Sequence, residues 1–422
     1  MKLKQTRAAR MARRRTITVC ISFLLLVALC VGLGFGISAC VTRYQEKKKK
    51  EAAAASAAAA EANMDALDHY IANMTLEEKL LQMFLVSPEE LTGVSVVTSS
   101  GDTMRTSLNK YPVGGLIYHS MNLTSEAQVT EMLTSAQSIM TNANQVPLFL
   151  AVIEEGGPGT TSPVANALNT TVYSAAYTYA SKEDGVTQLS LDMSEMGKEL
   201  SALGFNLNLI PYANCSSLSD STVGVRSYGE DYTKTAELVS TAVKGLHTGG
   251  VATAMKYFPT SGNLSSNGFY VSDKSLTDLR TYDMVPFKAG VSAETDIIIV
   301  GHVQIEAVDA GTPADLSSKV VGNLLRSELA YDGIIMTASL SDTALSTYSA
   351  GELAVQAVQA GCDMLYNTND LSSALASLKS AVSNGTIKES QIDTSVKRIL
   401  TAKINRGIMD EPSTETSTTK KN

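Results

Sequence analysis

Short apolar runs alternate along this chain with longer stretches in which apolar residues recur every three or four positions. Eight runs stand out: 84–86, 113–118, 147–153, 205–210, 251–258, 296–302, 333–337 and 363–366. Several are apolar at consecutive positions, as strands buried on both faces are. Between or after them lie segments with helical spacing, among them 125–140, 186–203, 232–247 and 371–382. Strands mostly followed by helices predict an α/β fold, a (β/α)8 barrel of the TIM type in a single domain. A doubly wound open sheet is the structural alternative. No Gly-x-Gly-x-x-Gly follows the first run, so dinucleotide binding has no support. No repeat at a solenoid period is evident. Thr75-Leu76-Glu77-Glu78 has the pattern of a capping box and predicts a helix start leading into Leu80, Leu81 and Met83.

The run at 333–337 ends in small polar residues. In a barrel, the C-terminal end of such a strand points side chains into the active-site mouth. The residue there is Ala338.

The ends of the chain have a different character. Lys2, Lys4, Arg7, Arg10 and the arginines at 13–15 precede an apolar segment at 16–41, long enough to span a bilayer. The larger basic excess on its N-terminal side keeps that end in the cytoplasm and places the bulk of the chain outside. This predicts a signal anchor and a single-pass protein of the cell membrane. The alternative is a lipoprotein signal, because Ile37-Ser38-Ala39-Cys40 is similar to a lipobox with Cys40 as the lipidated residue. The apolar run is longer than the roughly 7–15 residues of a signal-peptide core. The predicted organisation is therefore a basic segment at 1–15, the anchor or signal at 16–41, a Lys/Ala-rich spacer at 42–63, the barrel at 64–410 and a polar, disordered tail at 411–422.

Composition narrows the chemistry. A net charge of −8, with the basic residues concentrated at the start, argues against nucleic acid as a partner. Three of the five cysteines fall in the apolar segment; only Cys215 and Cys362 remain, so no disulfide framework is expected. With four histidines and no Cys-x-x-Cys, no metal site or cofactor is implied.

Several stretches together resemble glycoside hydrolase family 3, in its single-domain β-N-acetylhexosaminidase branch. Residues 74–83 resemble the opening helix, and 111–117 the second strand. Glu155-Gly156-Gly157 matches the glutamate-glycine-glycine motif after the third strand. Val223-Gly224-Val225-Arg226-Ser227-Tyr228-Gly229 matches a glycine-x-arginine-serine-phenylalanine-glycine turn, with tyrosine for phenylalanine. Lys256-Tyr257-Phe258-Pro259 matches a lysine-histidine-phenylalanine-proline strand end, with tyrosine for histidine. The resemblance covers residues 64–409 in motif order.

It implies a retaining displacement. An aspartate at the end of the seventh strand attacks the anomeric carbon, and a histidine polarised by an aspartate serves as acid and then base. Here the nucleophile position is Ala338, and the aspartate-serine-histidine of the acid/base loop reads Asn267-Gly268-Phe269. The same loop has Thr260-Ser261-Gly262-Asn263 for glycine-histidine-glycine-aspartate. At sugar-contacting positions, Ile153 and Asn214 replace aspartates and Pro158 replaces an arginine. Glu155, Arg226, Lys256 and His302 survive and are the candidate sugar contacts. For Arg226 and Lys256 the alternative is a structural ion pair with Glu155; for His302 it is a bond to a loop carbonyl. Tyr228, Tyr257, Phe269 and Tyr270 would stack on sugar rings or plug the mouth. Asp342 is expected inside the following helix and directed elsewhere, and Glu154 and Glu155 on opposite sides of their strand.

These departures predict a barrel that has lost hydrolysis and binds a glycan of peptidoglycan type or scaffolds a cell-envelope protein. The alternatives are an active β-N-acetylhexosaminidase with relocated catalytic groups and a purely structural envelope protein.

Overall fold

The computed structural model describes Lys48 and residues 66–412 apart from 221, 222 and 267. The anchor, the spacer apart from Lys48, the lipobox alternative at Cys40 and the tail beyond 412 lie outside the described residues. Among those that are described, no helix is long and apolar enough to cross a membrane. The barrel unit begins at Leu67.

In chain order the strands are β1 Phe84–Val86, β2 Gly115–Ile117, β3 Phe149–Val152, β4 Leu207–Asn208, β5 Ala252–Phe258, β6 Asn263–Leu264, β7 Tyr270–Ser272, β8 Ile297–Val300, β9 Gln304–Ile305, β10 Ile334–Ser339 and β11 Met364–Tyr366. Eight of them close a barrel in the order β1-β11-β10-β8-β5-β4-β3-β2. The ring closes through parallel pairs, with Phe84 against Leu365 on one side of β1 and Leu85 against Gly115 on the other. Each predicted strand is present; β1 has the bounds of its apolar run, β10 extends two residues past its run, and the others are shorter. The apolar runs read as they do because β1, β2, β3, β8 and β11 are buried at every position.

The predicted helices form at Glu126–Asn142, Gly185–Leu203, Tyr232–Thr248 and Leu371–Ser383. Helix Leu76–Gln82 opens with the expected reciprocal cap between Thr75 and Glu78. Helices Gly185–Leu203 and Tyr232–Thr248 pack together, with Gly245 against Met193 and Gly197 against Leu246 and Gly249. At their closest approach a Cβ on Gly197 would fall 2.8 Å from Gly249 Cα, so the backbones touch without side chains between them.

Two features bear on the site. The segment after β5 folds into a small sheet in the order β6-β7-β9 rather than an irregular loop. Barrel register shifts at Lys256/Phe258 and at Met336/Ser339, near the C-terminal ends of β5 and β10. Such irregularities re-aim side chains next to active sites.

Candidate active site

The C-terminal strand ends surround a cavity of about 370 Å³ whose wall includes Ile153, Arg226, Tyr257, His302, Ala338 and Asp342. Behind the wall lies a cluster of buried charge. Glu155 Oε2 accepts a hydrogen bond from Arg226 Nε at 2.6 Å and Oε1 one from Nη2 at 2.7 Å. Lys256 Nζ stands 2.7 Å from the same Oε1. Burial by itself would raise the Glu155 pKa, but the charges of Lys256 and Arg226 outweigh it and hold the carboxyl at about 2. Gly156 makes the turn that presents Glu155. Its φ is +79°, and a Cβ would lie 2.6 Å from Ser174 O, so no other residue fits without a shift.

Of the four surviving residues, Arg226 and His302 reach the cavity. Glu155 and Lys256 do not line it; they form the ion pair that was the alternative to sugar contact. Lys256 is fully buried and its ammonium is turned to the carboxylate. Arg226 presents the cluster to the cavity, its guanidinium 4.8 Å from the centre of the Tyr212 ring.

His302, just past β8, is held from both sides. Its Nε2 is 2.9 Å from Ser339 O and its Nδ1 2.9 Å from Asp315 Oδ2. Burial would lower the imidazole pKa; the adjacent Asp315 carboxylate outweighs that and pushes it up to about 9. Asp315 is fully buried, and burial pushes its own pKa upward. Because the His302 pKa is raised in the fold, its stabilising contribution is complete below about pH 6.5 and is lost as pH rises through about 9. Asp315→Asn removes the opposing charge and leaves the burial. The His302 pKa is therefore expected to drop below 6.5 in that variant, read by NMR titration of the imidazole with His302→Gln as the assignment control. A value still near 9 would exclude Asp315 as the cause.

The other predicted positions divide. Ala338, at the end of β10, lines the cavity with its methyl, and Phe269 lines it from the segment before β7. Asn267 lies outside the described residues. Asn214 also lines the cavity, but its amide is spent on the backbone of β5, accepting from Tyr257 N at 2.8 Å and donating to Tyr257 O at 2.9 Å. Tyr257 and Tyr270 are on the wall, whereas Tyr228 is buried in the core away from it. Glu154 and Glu155 lie past the end of β3 rather than on it, and Glu154 takes other partners. Its Oε2 accepts from Val164 N at 2.7 Å, it lines a separate cavity of about 300 Å³, and burial raises its pKa to about 7.

Asp342 departs most from expectation. It is not inside a helix. It caps the short turn Thr343–Leu345, its Oδ1 accepting from Ala344 N at 2.9 Å, and the helix begins only at Ala350. The side chain is exposed, lines the cavity, and lies close enough for its charge to act on His302 and Asp315.

Residues 75–402 match the model of the Glycosyl hydrolase family 3 N terminal domain. The chain belongs to this family. Among curated family relatives, Beta-hexosaminidase A of Pseudoalteromonas piscicida is 27% identical over 321 residues, covering 69% of this chain and 53% of the relative. Beta-hexosaminidase LpqI of Mycobacterium tuberculosis is 27% identical over 352 residues, covering 79% of this chain and 84% of the relative. The solved family 3 β-N-acetylglucosaminidase of a Paenibacillus species superposes with a TM-score of 0.72 at 32% identity, covering 79% of this chain and 63% of that one. This chain thus spans about half of the first relative and under two thirds of that structure.

The inactive-barrel expectation is corrected by these findings. The proteins that this family member resembles are hexosaminidases and an N-acetylglucosaminidase by name. The inference of lost chemistry weighed Ala338 and the Asn267-Gly268-Phe269 stretch while sending Asp342 into a helix. The mouth is open and carries that carboxylate.

Proposed function

We propose that this chain is a glycoside hydrolase acting on amino-sugar glycans of the cell envelope, removing a terminal β-linked N-acetylhexosamine. The observation that carries the reading is the cavity at the C-terminal mouth of the barrel, with Arg226, His302 and Asp342 in its lining. That is the face on which barrel enzymes build their sites. A pocket of this size, lined by tyrosines with a few convergent polar groups, suits one sugar residue better than an extended chain. The relatives named hexosaminidases support the substrate class.

The test is release of 4-nitrophenol from 4-nitrophenyl N-acetyl-β-glucosaminide by the full chain. Turnover above the blank, inhibited competitively by free N-acetylglucosamine, is the expected result. A folded protein without turnover on this glycoside or on chitobiose would overturn the reading.

The basic start and the apolar segment at 16–41 support a membrane tether with the barrel outside the cell. Protease added to intact cells is then expected to digest the barrel; full protection would overturn the placement.

A further inference from the structure

The chain leaves the barrel after β5 and returns as a hairpin at the rim of the cavity, with residues 260–262 and 268–270 in the cavity lining. Strands β6 and β7 pair antiparallel, Leu264 opposite Tyr270 and Asn263 opposite Val271. Directly opposed side chains stand on the same face of such a ribbon, about 4.5–5.5 Å apart at Cβ. Leu264 is 65% exposed and Tyr270 41%, so this face holds an apolar pair open to solvent. A two-stranded ribbon alone is marginal in water. This one is fastened. Strand β7 pairs in parallel with β9, Val271 against Gln304. Asp283, at the start of helix Met284–Ser292, ties both ends of the hairpin: its carboxylate accepts from Thr260 Oγ1 ahead of β6, and from Lys274 Nζ past β7 at 2.7 and 3.0 Å. The turn is closed by Ser265 N donating to Phe269 O at 2.8 Å.

Tyr270 is on the cavity wall as well as on the exposed face, so the apolar pair continues the cavity outward. A glycan whose terminal sugar fills the cavity must leave through this mouth. In a β-linked glucosamine-type ring the substituents are equatorial and the axial positions are C–H bonds, which gives the ring two flat apolar faces. Such a face matches an aromatic ring and an aliphatic side chain set side by side. The hairpin carries no Asp, Glu, Lys or Arg from 261 to 272, so it offers nothing to a charged partner. Resting on the amino-sugar glycan reading above, we propose that Leu264 and Tyr270 form a second-sugar subsite: the terminal residue sits in the cavity and the next β-linked N-acetylhexosamine stacks on the hairpin. Tyr270 is the specificity-determining member of the pair, because it reaches both the cavity and the outer face.

The experiment is calorimetry of the full chain with N-acetylglucosamine and with thio-linked chitobiose, whose sulfur bridge resists hydrolysis. The parent is expected to bind the disaccharide about tenfold or more tightly than the monosaccharide. In Tyr270→Ala that preference is expected to fall to within about threefold, and in Tyr270→Phe, which keeps the ring, to persist. The exposed position lets folding of both variants be verified by melting curves. A parent that binds the monosaccharide but shows no preference for the disaccharide overturns the subsite and leaves the glycan reading intact. So does a preference that survives Tyr270→Ala or is lost equally in Tyr270→Phe. Sedimentation showing a parent dimer that Tyr270→Ala separates would make this face a contact between copies and overturn the subsite. No binding of either sugar by the folded parent overturns the glycan reading itself, and the subsite with it.

Discussion

Glu155→Gln is expected to cost this barrel about 3–5 kcal/mol, the range for removing one partner of a buried ion cluster. The reason is what it leaves behind. Lys256 is fully buried and Arg226 largely so, and both would face a neutral amide instead of a carboxylate. The pKa of Glu155 gives a second route to the size. A fall from 4.5 to about 2 corresponds to about 3 kcal/mol at neutral pH. Since the folded pKa lies below the unfolded one, this stability is present above about pH 4.5 and is lost as pH falls towards 2. Urea unfolding at several pH values between 3 and 7 is the measurement. The gap between parent and variant should be widest at pH 7 and narrow progressively below pH 4.5. Adding Lys256→Met to Glu155→Gln should recover part of the loss by removing the orphaned charge. A gap at pH 7 below about 1 kcal/mol would mean that the cluster does not hold this end of the barrel.

The same cluster shows how motif and role separate. The family resemblance made Glu155, Arg226 and Lys256 candidate sugar contacts with an ion pair as the alternative, and the structure joins them within 2.7 Å contacts. Which of them meets the cavity depends on where β5 shifts register and how Gly156 turns, and neither is written in residue types. Strands were legible for a simple reason: each is buried on both faces and has no polar alternation to confuse with surface. Asp342 was not. Read as part of one long helix, it pointed away; the chain instead leaves β10 at Ser339, makes a turn, and starts its helix at Ala350 with a reciprocal cap between Ser349 and Glu352. The Ser-x-x-Glu spacing at 349–352 was the available signal and would have freed Asp342 for the mouth. Gly268, in the five residues between Leu264 and Tyr270, was likewise a turn signal for β6 and β7. Asp315 left no signal at all. Its partner His302 lies on another segment, and only the closed barrel brings the two together.

At the opposite end of the barrel from the cavity, near the start of β3, helix Glu389–Asn405 sends Lys403 inward, where it is fully buried. Its Nζ donates to Gln82 Oε1 at 2.9 Å and lies 5.1 Å from the Phe149 ring centre, and among the described residues no carboxylate is paired with it. Desolvation alone therefore holds its pKa well below the usual lysine value. An unfolded chain keeps this amine protonated up to about pH 10.5, while the folded chain gives the proton up at a lower pH. Between those two points the unfolded state binds more protons, and this residue makes stability rise with pH by at most about 1.4 kcal/mol per unit. His302 pulls the other way between pH 6.5 and 9, so the parent's own pH profile mixes the two. Lys403→Met isolates the lysine, because it keeps the volume and leaves every other titrating group in place. The unsatisfied Gln82 oxygen in that variant adds an offset that does not change with pH. Urea unfolding of both proteins from pH 7 to 9 should show the stability of the parent climbing relative to Lys403→Met, by at most about 1.4 kcal/mol per unit. A constant difference across that window would mean that Lys403 keeps its proton in the fold, and that an anion or water path reaches the base of the barrel.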